Sequence, residues 1–441
     1  MSVKKSNWHQ HALLLVLTLF CIEKFVGRQI LAVMIEPIKA EFGLTDAQMG
    51  LLTGFAFALV FTLTGISAGR LADKVNRTNL LALSAVFWGI TTAVSGLATG
   101  FIMLVIMRMI IAVAEAPVTA ASLSLLSDTY PIKRRSFAIS CYTSGATFAA
   151  IIALTLGAYW VEQYGWRHTF FIISAPSLLI SFWLFFLLRE PRRGQYDENV
   201  SALGSPLQNK ELVGFRESIK SLLKRKDYRL LVTSSAIASL GANAFGMWNA
   251  TFLVRSHDLS LSKAGMMAGF CGGGAAAIGI LLSGYLADRI AKHKGVLWLP
   301  LLGHILGWIS LVTYLLWPKG LGDEYSFAGI PFAMLFCTLA SFFSVWWYSP
   351  CLTLLTSIVS GKERALAISI QTVLITFLGI GVGPITVGIL SDFFSNLAGV
   401  ESLRYALILS TITTIISVVT LFKLKSYQAI TLKKNQVSNN V

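Results

Sequence analysis

The sequence predicts an all-α integral membrane protein with twelve transmembrane helices in two pseudo-symmetric six-helix halves. Three observations carry that prediction. The chain has long charge-free runs, its Lys and Arg fall mostly on one side of those runs, and two short motifs recur in the same order.

The runs come first. Of 441 residues, 55% are hydrophobic and only 13% are charged, against about a quarter charged in soluble domains. Mean hydropathy is +0.69. A soluble helical protein shows apolar stripes at helical spacing, not runs that are apolar all round. Residues 51–67 and 80–107 contain no Asp, Glu, Lys or Arg at all. One crossing needs roughly 20 apolar residues, and in such runs only a helix satisfies every backbone donor and acceptor. The expected spans are 12–36, 47–69, 79–99, 101–126, 136–161, 167–189, 228–254, 262–286, 296–317, 328–355, 364–390 and 403–424.

Twelve spans put both termini on one side. Most of the 36 Lys and Arg lie on that side, including Lys133-Arg134-Arg135, Arg189 to Arg193 and Lys224-Arg225-Lys226. The positive-inside rule makes it cytoplasmic. The net charge of +15 is thereby a topology signal, reinforced by anionic lipid headgroups, and no basic soluble module remains to bind nucleic acid. The first apolar run follows Lys4 and Lys5. It is too long for a signal peptide and lacks a small-residue cleavage site, so a retained helix is expected. Cys21, Cys141, Cys271, Cys337 and Cys351 all sit in apolar runs, without CxxC or nearby His. They read as small core residues, with no disulfide and no metal site. The expected organisation is a six-helix half at 1–189, a cytoplasmic linker at 190–227, a second half at 228–424 and a cytoplasmic tail at 425–441. The linker ends in a basic amphipathic stretch from Phe215 to Arg229, suited to lying along the membrane surface.

The repeat rests on two matches. Gly69-Arg-Leu-Ala-Asp73-Lys pairs with Gly284-Tyr-Leu-Ala-Asp288-Arg, 215 residues on. Arg135-Ser-Phe-Ala-Ile-Ser140 pairs with Arg364-Ala-Leu-Ala-Ile-Ser369, 229 residues on. Each copy falls at the same place in its half, after the second span and before the fifth. Duplicated halves of this kind hold a substrate between them and expose it to alternate sides.

Five charges lie deep in spans: Glu23, Lys24 and Arg28 in the first, Arg108 and Glu115 in the fourth. Each costs at least about 2.5 kcal/mol on insertion scales, so such residues face a cavity or a partner. At about 1.5 Å rise per residue the two carboxylates share one layer, with the two arginines nearer the outside. Arg108 and Glu115 are seven apart and share a face, as do Glu23 and Gly27, four apart. Glu115 is a candidate for proton coupling or for a structural ion pair. Arg28 is a candidate ligand for a substrate anion or for Glu115. Arg108 and Lys24 are candidates for the substrate site or for helix packing. The five sum to +1, which suits an anionic substrate. Trp248, Trp308, Trp346 and Trp347 offer apolar walls, or plain packing. His304 is the ionisable residue of note in the later spans.

The loop Gly69-Arg70-Leu71-Ala72-Asp73-Lys74-Val75-Asn76-Arg77 resembles the signature between the second and third helices of the major facilitator superfamily. Asn76 stands where glycine is usual. In that signature Gly69 would permit close helix approach. Asp73 would accept from helix N-termini and basic partners in one conformational state. Arg77 and the second copy at Asp288 extend this gating role. Within the superfamily the chain is similar to the spinster-like lysolipid and sphingolipid transporters and their bacterial relatives. The residues that carry this are Arg28-Gln-Ile-Leu-Ala, Glu36-Pro-Ile-Lys, Arg108 to Glu115-Ala116, Gly165-Trp-Arg167, Phe245-Gly-Met-Trp248, Phe252-Leu253 and Arg255-Ser-His257. The resemblance implies alternating access, proton coupling through Glu115 and an anionic amphiphile such as a lysophospholipid as substrate. Two departures stand out. Gly27 occupies the place of an aspartate tied to proton coupling, and Ala112 and Ala114 replace common glycines. Glu23, one turn from Gly27, is the candidate replacement.

Other classes fit less well. The chain has no HExxH, no GxSxG and no paired-aspartate motif for an intramembrane enzyme. Gly272-Gly273-Gly274 lies in an apolar run without the lysine of a phosphate loop, so close helix packing is expected there. No soluble segment is long enough for a nucleotide domain, and no filter loop marks a channel. A small-organic-anion carrier and a solute sensor on the same scaffold stay open. The expectation is a monomeric, multi-pass inner-membrane transporter that needs no cofactor and has protons, lipid and an anionic solute as its partners.

Overall fold

The computed structural model describes residues 3–188, 190–193, 215–290, 295–318, 326–327, 330–359 and 363–438. Residues 194–214, most of the expected linker, lie outside them. Span 1 is Val3–Gln29 continued by Leu31–Phe42, and span 2 is Asp46–Gly50, a π-helical stretch Leu51–Phe55 and Ala56–Lys74. Span 3 is Arg77–Ser95; span 4 is Phe101–Glu115 with Val118–Thr129. Spans 5 and 6 follow within Ile132–Phe182, separated at Gly165. Span 7 is Lys226–His257. Span 8 runs from Leu261–Met267 through the π-helical Ala268–Gly274 to Ala275–Ile290, and span 9 is Trp298–Leu316. Span 10 joins Ala333–Ser344 to Tyr348–Ile358. Span 11 runs from Arg364–Leu374 to Gly383–Ala398 through another π-helical stretch, and span 12 is Ser402–Ser410 with Ile412–Ser438. A two-residue hairpin, β1 (Ser326–Phe327) against β2 (Ile330–Pro331), precedes span 10.

Among the described residues, nine runs are long and apolar enough to cross a membrane. Two of them, Phe137–Phe186 and Leu366–Gln428, each contain two crossings. Gly165, at φ 78°, turns the chain between spans 5 and 6 in a conformation that a side chain would strain. The short turn Gly399–Glu401 separates spans 11 and 12. Span 1, which carries Glu23, Lys24 and Arg28, is not among the nine. With it, the described residues make twelve crossings. Leu63, Ile102, Leu281 and Leu397 point outward and are more than two-thirds exposed, as side chains facing lipid should be.

The chain forms two compact units. The first contains Met1–Leu44, Ala56–Lys210 and Leu261–Gly269; the second contains Thr45–Phe55, Glu211–Ser260 and Phe270–Val441. Two short segments thus pack away from the rest of their own helices. In the first unit Leu13, Leu17, Phe20, Leu81, Ala85, Leu125 and Tyr142 build one core. In the second, Tyr228, Leu231, Trp347, Leu355 and Leu421 build another. Leu222 of the amphipathic helix Phe215–Lys224 is fully buried in that second core, while Leu223 is half-exposed.

Glycines, not chance, set the closest helix approaches. A Cβ on Gly279 would fall on the carbonyl of Phe342, and one on Gly383 would sit 2.6 Å from the carbonyl of Leu240. The expected packing glycine Gly272 meets only ordinary contacts, at 3.8 Å or more. The run Ala268–Gly274 is π-helical instead.

Candidate functional site

The first unit buries a charge cluster between spans 1 and 4. Span 4 breaks after Glu115 because Pro117 lacks an N–H and cannot continue the helix ladder. Glu115 is therefore held at a helix end, 2% exposed. Arg28 meets it with two nitrogens: Nη2 lies 2.5 Å from Oε1 and Nε donates to Oε2 at 3.1 Å. Lys24, one turn earlier on the same face of span 1, lies 3.9 Å from Oε1 and donates to Thr119 Oγ1 at 2.9 Å. Arg108 donates to the Gly27 carbonyl at 3.4 Å. Among the described residues its Nε has no acceptor.

Aromatic rings wrap these cations. The Arg28 guanidinium sits 4.4 Å from the Phe57 ring, 5.0 Å from Phe61 and 5.4 Å from Phe25. Arg108 lies 5.2 Å from Phe57 and Lys24 lies 4.6 Å from Phe25. Phe57 and Phe61 stack at 5.5 Å, as their spacing of four on span 2 allows. Such contacts stabilise a cation without neutralising it. Sequence reading missed these rings, although the i, i+4 pair was there to find.

Glu23 is placed differently from expectation. It does share a face with Gly27, but that face turns toward spans 3 and 6, away from Glu115. Its Oε1 accepts from Ser177 of span 6, and its Oε2 has no partner. No cation contact of Glu23 is seen among the described residues. The missing aspartate has a local cause as well. A Cβ on Gly27 would collide with the indole of Trp88, whose Cη2 lies 2.9 Å away. Glu23 therefore does not rebuild an acid beside Arg28.

The second expected group lies at the loop between spans 2 and 3. Arg77 is not a solvated loop charge; it is 1% exposed. Nη1 donates to Asp128 Oδ2 at 2.5 Å and to Ser124 Oγ at 2.6 Å, and Nε donates to Glu190 Oε1 at 2.6 Å. Glu190 also caps span 3, accepting from the Arg77 N–H at 2.8 Å and the Thr78 N–H at 3.1 Å. Asp73 is exposed, and its carbonyl, with those of Ala72 and Val75, accepts from Arg193. Gly69 needs correction: a Cβ there meets nothing within 4 Å, so it does not mediate close packing here. Asp288 lies on the last turns of span 8, within Ala275–Ile290. Asp128, Glu190 and Arg193 were missed, because their pairing with residues 72–78 is long-range and carries no local pattern.

The residues after Gly165 are also explained. Trp166 Nε1 donates to Glu41 at 2.7 Å, and Arg167 donates to Glu41 and to the end carbonyls of span 3, Gly96 at 3.1 Å and Ala98 at 2.7 Å. In the second unit, His304 is buried with Nε2 3.1 Å from Ser417 Oγ. Trp308 donates to Thr411 at 3.1 Å and Trp248 to the Pro384 carbonyl at 3.0 Å. Trp346 and Trp347 are core residues.

A family model for the Major Facilitator Superfamily matches residues 16–322. The chain belongs to this superfamily of transporters. It is 26% identical over 396 residues to an MFS-type efflux pump of Mycolicibacterium smegmatis, spanning 89% of this chain and 87% of the pump. It is 28% identical over 282 residues to a D-galactonate transporter of Escherichia coli, spanning 61% of this chain and 64%, under two thirds, of that protein. Among solved structures it is similar to a bacterial homolog of the human lysosomal transporter Spinster in an inward-facing, unoccupied conformation. The TM-score there is 0.81 at 26% identity, covering 94% of this chain and 97% of the other.

Proposed function

We propose that the protein carries an organic anion by alternating access, with Arg28 receiving the anionic group and Glu115 exchanging a proton for its contact with Arg28. One observation carries this reading. Lys24 and Arg28 share the single carboxylate of Glu115, and buried Arg108 lies two turns from it on the same face of span 4, so the cluster is short of negative charge in a setting where unpaired charge is expensive. An incoming carboxylate or phosphate supplies that charge. Protonating Glu115 frees Arg28 to take the anion, which couples the two ions. Glu23, buried without a cation partner, is a second candidate for proton binding, since a buried unpaired charge is costly. Gly69, Asp73, Arg77 and Asp288 are assigned to the conformational change and not to the ligand. The termini are assigned to the cytoplasmic side of an inner membrane, from the distribution of Lys and Arg.

Several relatives support a carboxylate as the head. They are named as transporters of D-galactonate, of galactarate and D-glucarate, and of cis,cis-muconate. The second unit favours a second reading, an anionic amphiphile such as a lysophospholipid. It contains a small cavity of about 40 Å³ walled by Phe245, Trp308 and Leu311, with His304 and Ser344, an apolar surface of the kind an acyl chain would lie on.

Ligand-dependent thermal stability of the purified protein tests both readings, with D-galactonate, cis,cis-muconate and a lysophospholipid at two pH values. A ligand at 100 times its dissociation constant stabilises the native state by about 2.7 kcal/mol. Stabilisation should vanish in Arg28→Ala, and in Glu115→Gln it should persist but lose its pH dependence. Stabilisation that survives Arg28→Ala unchanged would remove Arg28 from the site.

A further inference from the structure

Arg108 of span 4 is a buried cation whose charge nothing in its surroundings balances. It is 5% exposed. Arg77, Arg255, Arg404 and Arg28 are also well buried, with side chains 2%, 12%, 13% and 14% exposed, and each sits on a carboxylate: Asp128, Asp46, Glu401 and Glu115. Arg108 has no such partner among the described residues. Its hydrogen bond to the Gly27 carbonyl is long, at 3.4 Å, and its Nε finds no acceptor. The Phe57 ring, centred 5.2 Å from the guanidinium carbon, attracts the charge without cancelling it.

An arginine does not lose its proton inside a protein. Burial therefore cannot remove this charge, and a buried charge left uncompensated is strongly destabilising. The two nearest acids in the sequence are committed elsewhere. Both oxygens of Glu115 are engaged by Arg28, and Glu115 lies seven residues on, about 10 Å along the helix. Glu23 meets Ser177 of span 6. The countercharge has to come from solution.

Two features select its kind. A single guanidinium asks for a single negative charge. The Gly27 carbonyl and the Phe57 ring also close round it, which suits one atom and not a carboxylate with a carbon body behind it. A halide is monovalent, spherical and less strongly hydrated than a carboxylate. It accepts an N–H from any direction, and the edges of aromatic rings, which carry positive charge, tolerate it.

We infer that Arg108 holds a resident chloride ion, bound through Nε beside Phe57 and separate from the anion that Arg28 receives. Chloride here is a fixed counter-ion and not cargo. The inference does not rest on the transport reading, because the buried charge calls for the ion whether or not Glu115 exchanges a proton.

Thermal unfolding of the purified, substrate-free protein tests it, in sodium chloride, bromide or methanesulfonate at constant ionic strength and pH. Chloride at ten times its dissociation constant multiplies the folding equilibrium constant about elevenfold, a rise of about 2 °C in the unfolding midpoint. The rise should saturate, should appear with bromide and should be absent with methanesulfonate. Arg108→Gln should abolish it, Arg108→Lys should keep part of it, and Arg28→Ala should leave it intact. No difference between chloride and methanesulfonate overturns the proposal, as does a rise that survives Arg108→Gln. A rise that Arg28→Ala also removes means that the halide borrows the substrate's arginine, and overturns a separate site. Stabilisation by the organic anions succeeds or fails by itself, through Arg28. If Arg108→Gln cannot be purified, anomalous scattering from wild-type crystals grown in bromide decides. A peak beside Arg108 Nε supports the site, and its absence there overturns it.

Discussion

The Arg77 and Glu115 clusters lie in the same unit and are both buried, yet their charges balance differently. Arg77 is one cation among two carboxylates, and its Nε and Nη1 bond to Glu190, Asp128 and Ser124. Around Glu115 the ratio reverses: Lys24 and Arg28 share one carboxylate, and the Nε of nearby buried Arg108 has no acceptor among the described residues. A saturated cluster has no place for a newcomer and ties helix ends together in this conformation. An unsaturated one gains by admitting an anion. The contrast supports the proposal that the substrate meets the Glu115 cluster, while Arg77 holds the loop that joins spans 2 and 3.

Three substitutions strain that comparison, the largest effect first. Arg77→Ala leaves Asp128 and Glu190 without their cation, and losing one partner of a buried pair costs about 3–5 kcal/mol. Glu190 is a fifth exposed, so the lower end is expected. Thermal unfolding should show that loss without any ligand present, and a change under about 1 kcal/mol would mean the cluster is not a structural joint. Gly27→Asp comes next. Overpacking against Trp88 costs about 1–3 kcal/mol, and the double variant Gly27→Asp with Trp88→Ala should recover part of it. If Gly27→Asp alone is as stable as the wild type, the indole is not what keeps an acid out of this position. Gly69→Ala has the smallest effect and the opposite sign. Nothing stands within 4 Å of the new methyl group, and replacing a helical glycine stabilises by about 0.4–1 kcal/mol. A loss of stability would reveal a close approach at Gly69 after all.

The sequence was informative where the signal is local. The crossings were readable because a lipid-spanning helix must be apolar over its whole length. The observed helix Lys226–His257 runs a few residues past the expected 228–254, because a helix can continue beyond its apolar run through polar residues that hydropathy leaves out. The pairing of Arg28 with Glu115 was among the expected alternatives, since two deep opposite charges must find each other. The neighbours of Glu23, Ser177 above all, were not readable, because spacing fixes which residues share a face and says nothing about which neighbour that face meets. Gly69 was misread for the same reason: a glycine in a signature looks like a packing residue until its surroundings are known.

Charge along the chain, by itself, determined that this protein crosses a membrane, how often, and which residues are too expensive to bury without a purpose. Those are properties of a segment against its solvent, and each segment carries them alone. Only the tertiary structure decided that Trp88 fills the space beside Gly27, that Asp128 and Glu190 meet Arg77, and that Asp46 binds Arg255, 209 residues away. Those contacts depend on how helices pack, and packing is set by the shape and chemistry of two surfaces at once.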